Sequence, residues 1–371
     1  MINPKLSRRG FSKLMGLSAA YAALGVREAR AWETAATASA ANVVRLSSNE
    51  NPYGPAPAAL KAMTDGFSLA WRYPDENAGM LADELARMHG VTVDQVLLGD
   101  GSGEILKLCA AAFTGKDKKI VIANPTFEAI GRHAAVAGAE VVKIDLTPDY
   151  SHDLKKMVAA ANGAGLVYIC NPNNPTASIT PKNDMSDFLA KLSPTTVVLV
   201  DEAYHHYVES KDYESVIPLV KQYPNLIVTR TFSKIYGMAG LRCGYCVTQR
   251  ANIGLLKTHQ TWDSVNIMAL VAALASLKDP DHVPRGCKLN GEVKKSVCAE
   301  LDTLGYRYIP SHANFMMIDL RREVRPITDA LRTRSVEVGR LFPALPTFMR
   351  VTIGTSSEMK QFLTAFREVM A

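Results

Sequence analysis

The chain has 371 residues, of which 47% are hydrophobic and 21% are charged, a composition typical of a globular protein with one large domain and a smaller one. No window approaches the roughly 20 apolar residues of a membrane-spanning helix, and six cysteines in a chain of this length do not indicate a disulfide scaffold. The net charge of +6 is modest and partly concentrated around Arg8 and Arg9, so it does not indicate a nucleic-acid groove.

The first segment, SRRGFSKLMGLSAAYAALG, has a pattern of its own. The Arg8-Arg9 pair precedes a weakly apolar run from Leu14 to Gly25, and the small-x-small sequence Ala29-Arg30-Ala31 follows. The segment resembles a twin-arginine export signal, and the alternative is a short amphipathic helix with an accidental arginine pair. We therefore expect residues 1–31 to be removed from a bacterial, periplasmic protein. Residues 32–72 are then a linker and an N-terminal arm.

From residue 96 onward, short apolar runs alternate with helix-like segments. Most of these runs are continuous in Val, Ile and Leu, which is typical of strands buried on both faces. The alternation predicts βαβ units and a mainly parallel sheet covered by helices, in a large domain over residues 73–284. After Pro284 the pattern changes and predicts a smaller α+β domain over residues 285–371. The predicted strands are VLLG, KKIVIANP, AEVVKIDL, GLVYICNP, TTVVLVDEAY, NLIVTRTFSK and RCGYCVTQ.

The ends of the predicted strands carry polar side chains, and in α/β sheets ligands bind at these ends. After the first strand comes GDGSGE, a glycine-rich turn that opens a helix and suits a phosphate. A Rossmann dinucleotide site is the alternative. It requires a third glycine where Glu104 stands and an acid where Asn124 stands, so the sequence does not favour it.

Three further strands end in Asn171, in Asp201 with Tyr204, and in Ser233 with Lys234. Each has an ordinary alternative as a turn residue, a helix cap or a solvated side chain. Together with the phosphate turn they are the groups that pyridoxal 5′-phosphate (PLP) requires. The lysine forms a Schiff base with the cofactor aldehyde, and the carboxylate pairs with the pyridine nitrogen.

The sequence resembles the fold-type I PLP aminotransferases, in the histidinol-phosphate aminotransferase-like branch. The resemblance runs from about Val44 to the C-terminus and implies a three-layer α/β/α fold with a mainly parallel seven-stranded sheet and a smaller α+β C-terminal domain. The matching motifs, in order, are LSSNENPYGP, RYPDE, GDGSGE, NPNNPT, DEAY, TFSKIYGMAGLRCGY, ANF and MRVTIGT.

The resemblance also implies roles for individual residues. Lys234, Asp201 and Tyr204 are the expected catalytic residues. Arg350 is expected to bind the substrate anion, with contributions from Asn171, Arg340 and, across a dimer interface, Tyr53. The residues expected to hold the cofactor are Ser102, Gly103, Phe127, Asn171, Asp201, Tyr204, Thr231, Ser233, Lys234, Arg242 and, from the neighbouring subunit, Tyr73.

Some positions depart from the family pattern. Ala177 replaces the glycine of NPNNPTG, and Gly103 stands where an acid is usual. The loop between Arg340 and Arg350 is shorter and more apolar than in enzymes that read a substrate phosphate there. The histidine-pathway role is therefore not predicted.

Two short motifs remain outside this interpretation. His205 and His206 follow DEAY directly, and they are interpreted as one packed and one exposed histidine, with a substrate contact as the alternative. Cys243 and Cys246 form a C-x-x-C in which both side chains are expected to face the same side, and no second pair completes a metal site. No metal site is predicted.

The sequence thus predicts a homodimeric PLP-dependent aminotransferase that moves an amino group between an L-amino acid, or a histidinol-phosphate-like amine, and a 2-oxo acid. Another PLP reaction on the same scaffold (decarboxylation, lyase chemistry or racemisation) is one alternative, and a binding protein without turnover is another. No nucleic-acid partner is expected, nor any membrane partner beyond the export signal.

Overall fold

A computed structural model of the protein describes residues 43–371, and residues 45–371 form one compact unit. The predicted export signal, residues 1–31, lies outside the described residues. The strands are β1 (Val44–Leu46), β2 (Val96–Gly99), β3 (Lys119–Asn124), β4 (Val141–Asp145), β5 (Ala164–Cys170), β6 (Val197–Asp201), β7 (Leu226–Thr231), β8 (Gly244–Thr248), β9 (Arg307–Ile309), β10 (Phe315–Asp319), β11 (Val336–Val338) and β12 (Phe348–Thr352). The α-helices are α1 (Pro57–Gly66), α2 (Asp75–His89), α3 (Ser102–Phe113), α4 (Ala129–Val136), α5 (Leu154–Ala160), α6 (Lys182–Lys191), α7 (Arg250–Lys257), α8 (Ile267–Leu277), α9 (His282–Thr303), α10 (Val324–Arg332) and α11 (Ser356–Met370).

The central sheet has seven strands in the order β2-β8-β7-β6-β5-β3-β4. The pairs from β4 to β7 are parallel, and β8 runs antiparallel to both of its neighbours, β2 and β7. The predicted mainly parallel sheet is therefore confirmed. Because β2, β5, β6 and β7 share one direction, their carboxyl ends lie at the same edge of the sheet.

The continuous apolar runs form the strands at the centre of this sheet. Every residue of β6 and β7 is buried, as expected for strands with helices on both faces. One core lies on each side of the sheet, and Cys243 and Cys246 belong to different cores. The prediction that these two cysteines face the same side was wrong, because residues an odd number apart along an extended chain point to opposite faces.

The C-terminal part is a smaller α+β arrangement. Its three-stranded antiparallel sheet has the order β12-β10-β9. Its last helix, α11, spans Ser356–Met370, and a Thr355–Glu358 capping box fixes its start. The predicted domain boundary at residue 284 falls inside α9, and residues 45–371 form one compact unit, so the division into two domains stays a prediction.

Two negative findings concern residues 43–371 only. No helix in this range is long and apolar enough to span a membrane. The same residues contain no cluster of three or more His, Cys, Asp or Glu side chains that could hold a metal ion.

Candidate active site

A cavity of about 270 Å³ lies at the carboxyl ends of the parallel strands. Its walls come from the ends of β2, β3, β5, β6 and β7 and the segments that follow them, from the chain after β1, and from β12. The lining residues are Ser48, Asn49, Ser102, Gly103, Phe127, Cys170, Asn174, Asp201, Ala203, Tyr204, Thr231, Ser233, Lys234, Ala239, Arg242 and Arg350. Most of the predicted site residues are therefore in one place.

Lys234 enters this cavity from the turn that follows β7. Its Nζ donates hydrogen bonds to the backbone carbonyls of Asn49, at 3.1 Å, and Ser48, at 3.4 Å. Burial, followed by the nearby Arg350 guanidinium, lowers the pKa of the Lys234 amine to about 8. An amine with this pKa is available as a nucleophile and a base near neutral pH.

Asp201 is the last residue of β6, and its carboxylate is buried. One oxygen accepts a hydrogen bond from the Tyr168 hydroxyl at 3.0 Å, and the other accepts one from the backbone N–H of Ala203 at 3.1 Å. Burial raises the pKa of Asp201 to about 6, against the lowering effect of the Tyr168 hydrogen bond. Tyr168 was not among the predicted site residues. Strand alternation could have identified it, since Tyr168 and Cys170 are two residues apart on β5 and share a face.

Tyr204 is buried, with its ring centroid 5.5 Å from the Lys234 amine. Its hydroxyl accepts a hydrogen bond from the Asn49 side-chain amide at 3.0 Å, and burial raises the pKa of the phenol. Asn49 adopts a positive φ of 54°, which asparagine tolerates better than most residues. Asn49 lies within the quoted motif LSSNENPYGP, but the sequence did not predict its contact with Tyr204.

The predicted phosphate-binding residues meet at one end of the cavity. Ser102 and Gly103 begin α3, where the first backbone N–H groups point away from the helix. Ser233 accepts a hydrogen bond from Arg242 at 3.4 Å, and its neighbour across the turn, Thr231, donates one to it at 2.9 Å. A Cβ atom on Gly101 would lie 2.2 Å from the Arg242 guanidinium, so glycine at this position lets the cation approach the turn.

Arg350 lies on β12 and is largely buried. Its guanidinium donates to the side-chain oxygen of Asn174 at 2.8 Å and to the backbone carbonyl of Ser47 at 2.6 Å, while its Nε has no hydrogen-bond partner among residues 43–371. Burial lowers the pKa of this guanidinium. The group is a preorganised donor for an anion at the open side of the cavity.

Asn171, predicted to contact the cofactor and the substrate, is not among the residues that line the cavity. Its side-chain oxygen accepts from the backbone N–H of Thr180 at 2.9 Å, and its amide donates to the carbonyl of Thr180 at 3.1 Å. Asn174, three residues later, lines the cavity instead. Both asparagines precede a proline in NPNNPT, so the motif alone did not distinguish them. Ala177, in place of the usual glycine, keeps the left-handed backbone, with φ of 57°.

The other predicted contacts lie at or beyond the rim. Phe127 lines the cavity and is 38% exposed. Tyr53 and Tyr73 are 42% and 82% exposed and do not line it. Arg340 lines a neighbouring cavity, where it forms an ion pair with Glu128 at 2.9 Å.

His205 and His206 form a 3₁₀ turn after Tyr204 and do not line the cavity. Their Nε2 atoms are 3.1 Å apart, so one ring donates a hydrogen bond to the other. Both are half-buried, which differs from the expected pair of one packed and one exposed histidine. Burial lowers both pKa values, that of His206 to about 3.

Comparison with known proteins gives a consistent result. The family model described as aminotransferase class I and II matches residues 41–366. A histidinol-phosphate aminotransferase of Moorella thermoacetica is 39% identical over 89% of this chain and 86% of its own. One of Symbiobacterium thermophilum is 38% identical over 89% of this chain and 91% of its own. The crystal structure of histidinol-phosphate aminotransferase from Sinorhizobium meliloti in complex with pyridoxal-5′-phosphate superposes with a TM-score of 0.83 at 26% identity, covering 88% of this chain and 90% of that one.

Proposed function

This chain belongs to the aminotransferase class I and II family, and from that premise we propose that it acts as a homodimer on an L-amino acid and a 2-oxo acid. It is a PLP-dependent aminotransferase. The observation that carries the proposal is one cavity that holds the low-pKa amine of Lys234 together with Asp201, Tyr204 and Arg350.

The residues of the cavity fit PLP. Lys234 offers an amine that donates to two backbone carbonyls within the described part of the chain. At one end, Arg242, two hydroxyl side chains and the start of α3 suit a phosphate. On the other side, the Asp201 carboxylate suits a protonated ring nitrogen. When bound, PLP supplies an electron sink that stabilises the carbanion left when the Cα proton of the substrate departs.

Three side chains of the cavity have separate roles in the proposed reaction. With PLP bound, Lys234 would take the Cα proton of the substrate and return it on the cofactor side, and burial lowers the pKa of its amine to about 8. Asp201, held by hydrogen bonds from Tyr168 and Ala203, would pair with the ring nitrogen. Tyr204, oriented by Asn49, would donate a hydrogen bond to the ring oxygen. These groups are fixed before substrate arrives, which is the basis of electrostatic catalysis.

Substrate binding centres on Arg350. Its guanidinium is held by Asn174 and Ser47, so a carboxylate entering the cavity meets a donor that is already oriented. We assign to Asn174, rather than Asn171, the contact to the ring oxygen that the resemblance implies. The assignment follows from the lining of the cavity and from the Asn171 hydrogen bonds to Thr180.

Absorbance spectra of the PLP-bound protein with a panel of L-amino acids test the reaction. We expect the visible band to disappear with a reactive donor and to return when a 2-oxo acid is added. Borohydride reduction should attach the cofactor covalently to Lys234, and Lys234→Ala should lose turnover by several orders of magnitude. Attachment to another lysine, or loss of CO₂ from the donor, would contradict the assignment.

A homodimer is supported by the surface before and around α2. Aromatic side chains there are largely exposed in the single chain: Trp71 is 74% exposed, Tyr73 is 82% exposed and Trp262 is 90% exposed. Trp262 and Pro74 line one cavity of about 410 Å³, so part of this apolar surface is continuous. Exposed patches of this kind mark interaction surfaces. We propose that a second copy covers it and that Tyr73 reaches the phosphate of that copy.

Export by the twin-arginine route is also proposed, on the sequence of residues 1–31 alone. The route carries folded proteins, so cofactor loading in the cytoplasm would precede transport. Replacing Arg8 and Arg9 with lysines should leave active, PLP-bound enzyme in the cytoplasm. Recovery of that variant from the periplasm would overturn the proposal.

A further inference from the structure

The ion pair between Glu128 and Arg340 stands beside the substrate side of the active site. Glu128 follows Phe127, which lines the cofactor cavity, and its carboxylate lies 2.9 Å from the Arg340 guanidinium. Arg340 lines a second cavity of about 670 Å³, and this cavity shares Ser48 and Arg350 with the first. The pair is therefore close to the group that receives the substrate anion.

Phe342 connects the two arginines. The Arg340 guanidinium carbon lies 4.3 Å from the centroid of its ring, and that of Arg350 lies 5.3 Å from the same centroid. Both cations thus rest against one aromatic side chain. A substrate anion that reaches beyond Arg350 comes next to Arg340.

The charges of the second cavity nearly cancel. Four arginines line it, but Asp329 and Glu337 also do, and Glu128 is bound to Arg340. Arg332 is occupied as well, with its guanidinium 3.4 Å from Asp329. Counting Glu128, the four positive charges face three negative ones, which leaves a net charge of +1.

A cavity with a net charge of +1 suits a singly charged substrate carboxylate better than a phosphomonoester. The carboxylate of an α-amino acid carries one negative charge and can be bound by Arg350 alone. A phosphomonoester carries about −1.5 to −2 at pH 7 and is larger. In an amino-alcohol phosphate such as histidinol phosphate, the phosphate replaces the carboxylate and extends farther from the amine-bearing carbon. It therefore needs a second arginine that is free to bind it. Here the second arginine is Arg340, and it is already paired with Glu128.

We propose that Glu128 is a specificity-determining residue that selects α-amino acids over amino-alcohol phosphates by holding Arg340 in an ion pair. The proposal rests on the proposed function. The pair is 52% exposed on the arginine side and 43% on the glutamate side, so it contributes little to folding. The main effect of the pair is on the binding of a doubly charged substrate. Such a substrate cannot use Arg340 as a partner and is repelled by the Glu128 carboxylate.

The test is a ratio of specificity constants in the holoenzyme. For wild type and Glu128→Gln, kcat/KM is measured with histidinol phosphate and with the neutral L-amino acid that reacts fastest in the spectral panel. We expect the ratio, phosphate substrate over amino acid, to rise about ten-fold in Glu128→Gln. Adding Arg340→Gln to that variant should return the ratio to the wild-type value, because the freed cation is lost again. Glu368→Gln, which breaks an exposed pair with Arg334 at 3.0 Å, is the matched control and should leave the ratio unchanged.

The outcomes separate this inference from the proposed function. A wild-type enzyme that turns over no L-amino acid overturns both. A wild-type enzyme that does so, but whose ratio is unchanged in Glu128→Gln, overturns the inference alone. A ratio that stays raised after Arg340→Gln is added also overturns it, since the effect then does not act through Arg340.

Discussion

At the scale of single residues, Asn171 and Asn174 show how similar positions in one motif have different surroundings. Asn174 accepts a hydrogen bond from Arg350, whereas Asn171 pairs with the backbone of Thr180. We expect Asn174→Ala to lower kcat/KM by roughly 10- to 100-fold, because Arg350 loses a charged hydrogen bond of about 1.5–3 kcal/mol. Steady-state kinetics of the PLP-bound variant measure this effect.

Asn171→Ala should lower the stability of the folded protein. It leaves two buried backbone groups of Thr180 without partners, which costs about 1–3 kcal/mol of stability. Urea unfolding measures the loss. A variant as stable as wild type that no longer binds PLP would instead restore Asn171 to the cofactor site.

The Tyr168 hydroxyl gives a second prediction at this scale, since its hydrogen bond lowers the Asp201 pKa while burial raises that pKa to about 6. Removing the hydrogen bond in Tyr168→Phe should raise the pKa further, by about one unit. PLP affinity, measured against pH, should then decline on the acid side at a pH about one unit higher than in wild type. If PLP affinity declined at the same pH as in wild type, Tyr168 would have only a packing role.

At the scale of elements, the ends of helices and turns hold histidines that are neutral when folded. Burial lowers the pKa of His89 to about 4, of His152 to about 4 and of His206 to about 3, from a usual value of 6.5. The unfolded chain therefore binds more protons as pH falls below 6.5, and stability declines until the folded pKa values are reached. Asp201 has the opposite effect on stability. Because its pKa is raised in the folded protein, the folded state binds its proton first as the pH falls.

We expect the free energy of unfolding of the PLP-free protein to fall between pH 7.5 and pH 5. Each of the three histidines contributes a loss of about 2 kcal/mol at most, and Asp201 offsets roughly one of them. Urea titrations at several pH values check the slope. Equal stability at pH 7.5 and 5 would show that these rings take up protons in the folded state at ordinary pKa values.

At the scale of the whole molecule, the exposed aromatic surface predicts the assembly. Trp262→Glu should shift the molecular mass in light scattering from two chains to one and should weaken PLP retention, since Tyr73 of the other copy is then lost. Val136→Glu, at an 89% exposed apolar position on α4, is the control and should leave the mass unchanged.

Tyr73→Phe refines this prediction. It should keep the two-chain mass and weaken PLP retention roughly ten-fold or more, because one hydrogen bond to a charged phosphate is removed. Wild-type enzyme that is fully active as a single chain would contradict both expectations.

The sequence by itself determined the sheet and most of the chemistry. Continuous Val, Ile and Leu runs identified the strands of the central sheet, because a strand buried on both faces has no polar side. Lys234, Asp201 and Tyr204 could be predicted as site residues because each lies at the end of such a strand or within three residues of it, and parallel strands bring their carboxyl ends to one edge. The glycine-rich turn GDGSGE was predicted as a phosphate site for the same reason, since it follows the first predicted strand.

Only the tertiary structure determined which side chains from distant parts of the sequence contact each other. The antiparallel direction of β8, the position of Asn174 in the lining of the cavity and the contact of Tyr168 with Asp201 depend on packing between distant segments. The pairing of Glu128 with Arg340 joins residues more than two hundred positions apart. Local sequence encodes propensity and hydrophobic period, whereas long-range hydrogen bonds and ion pairs exist only once the chain has folded.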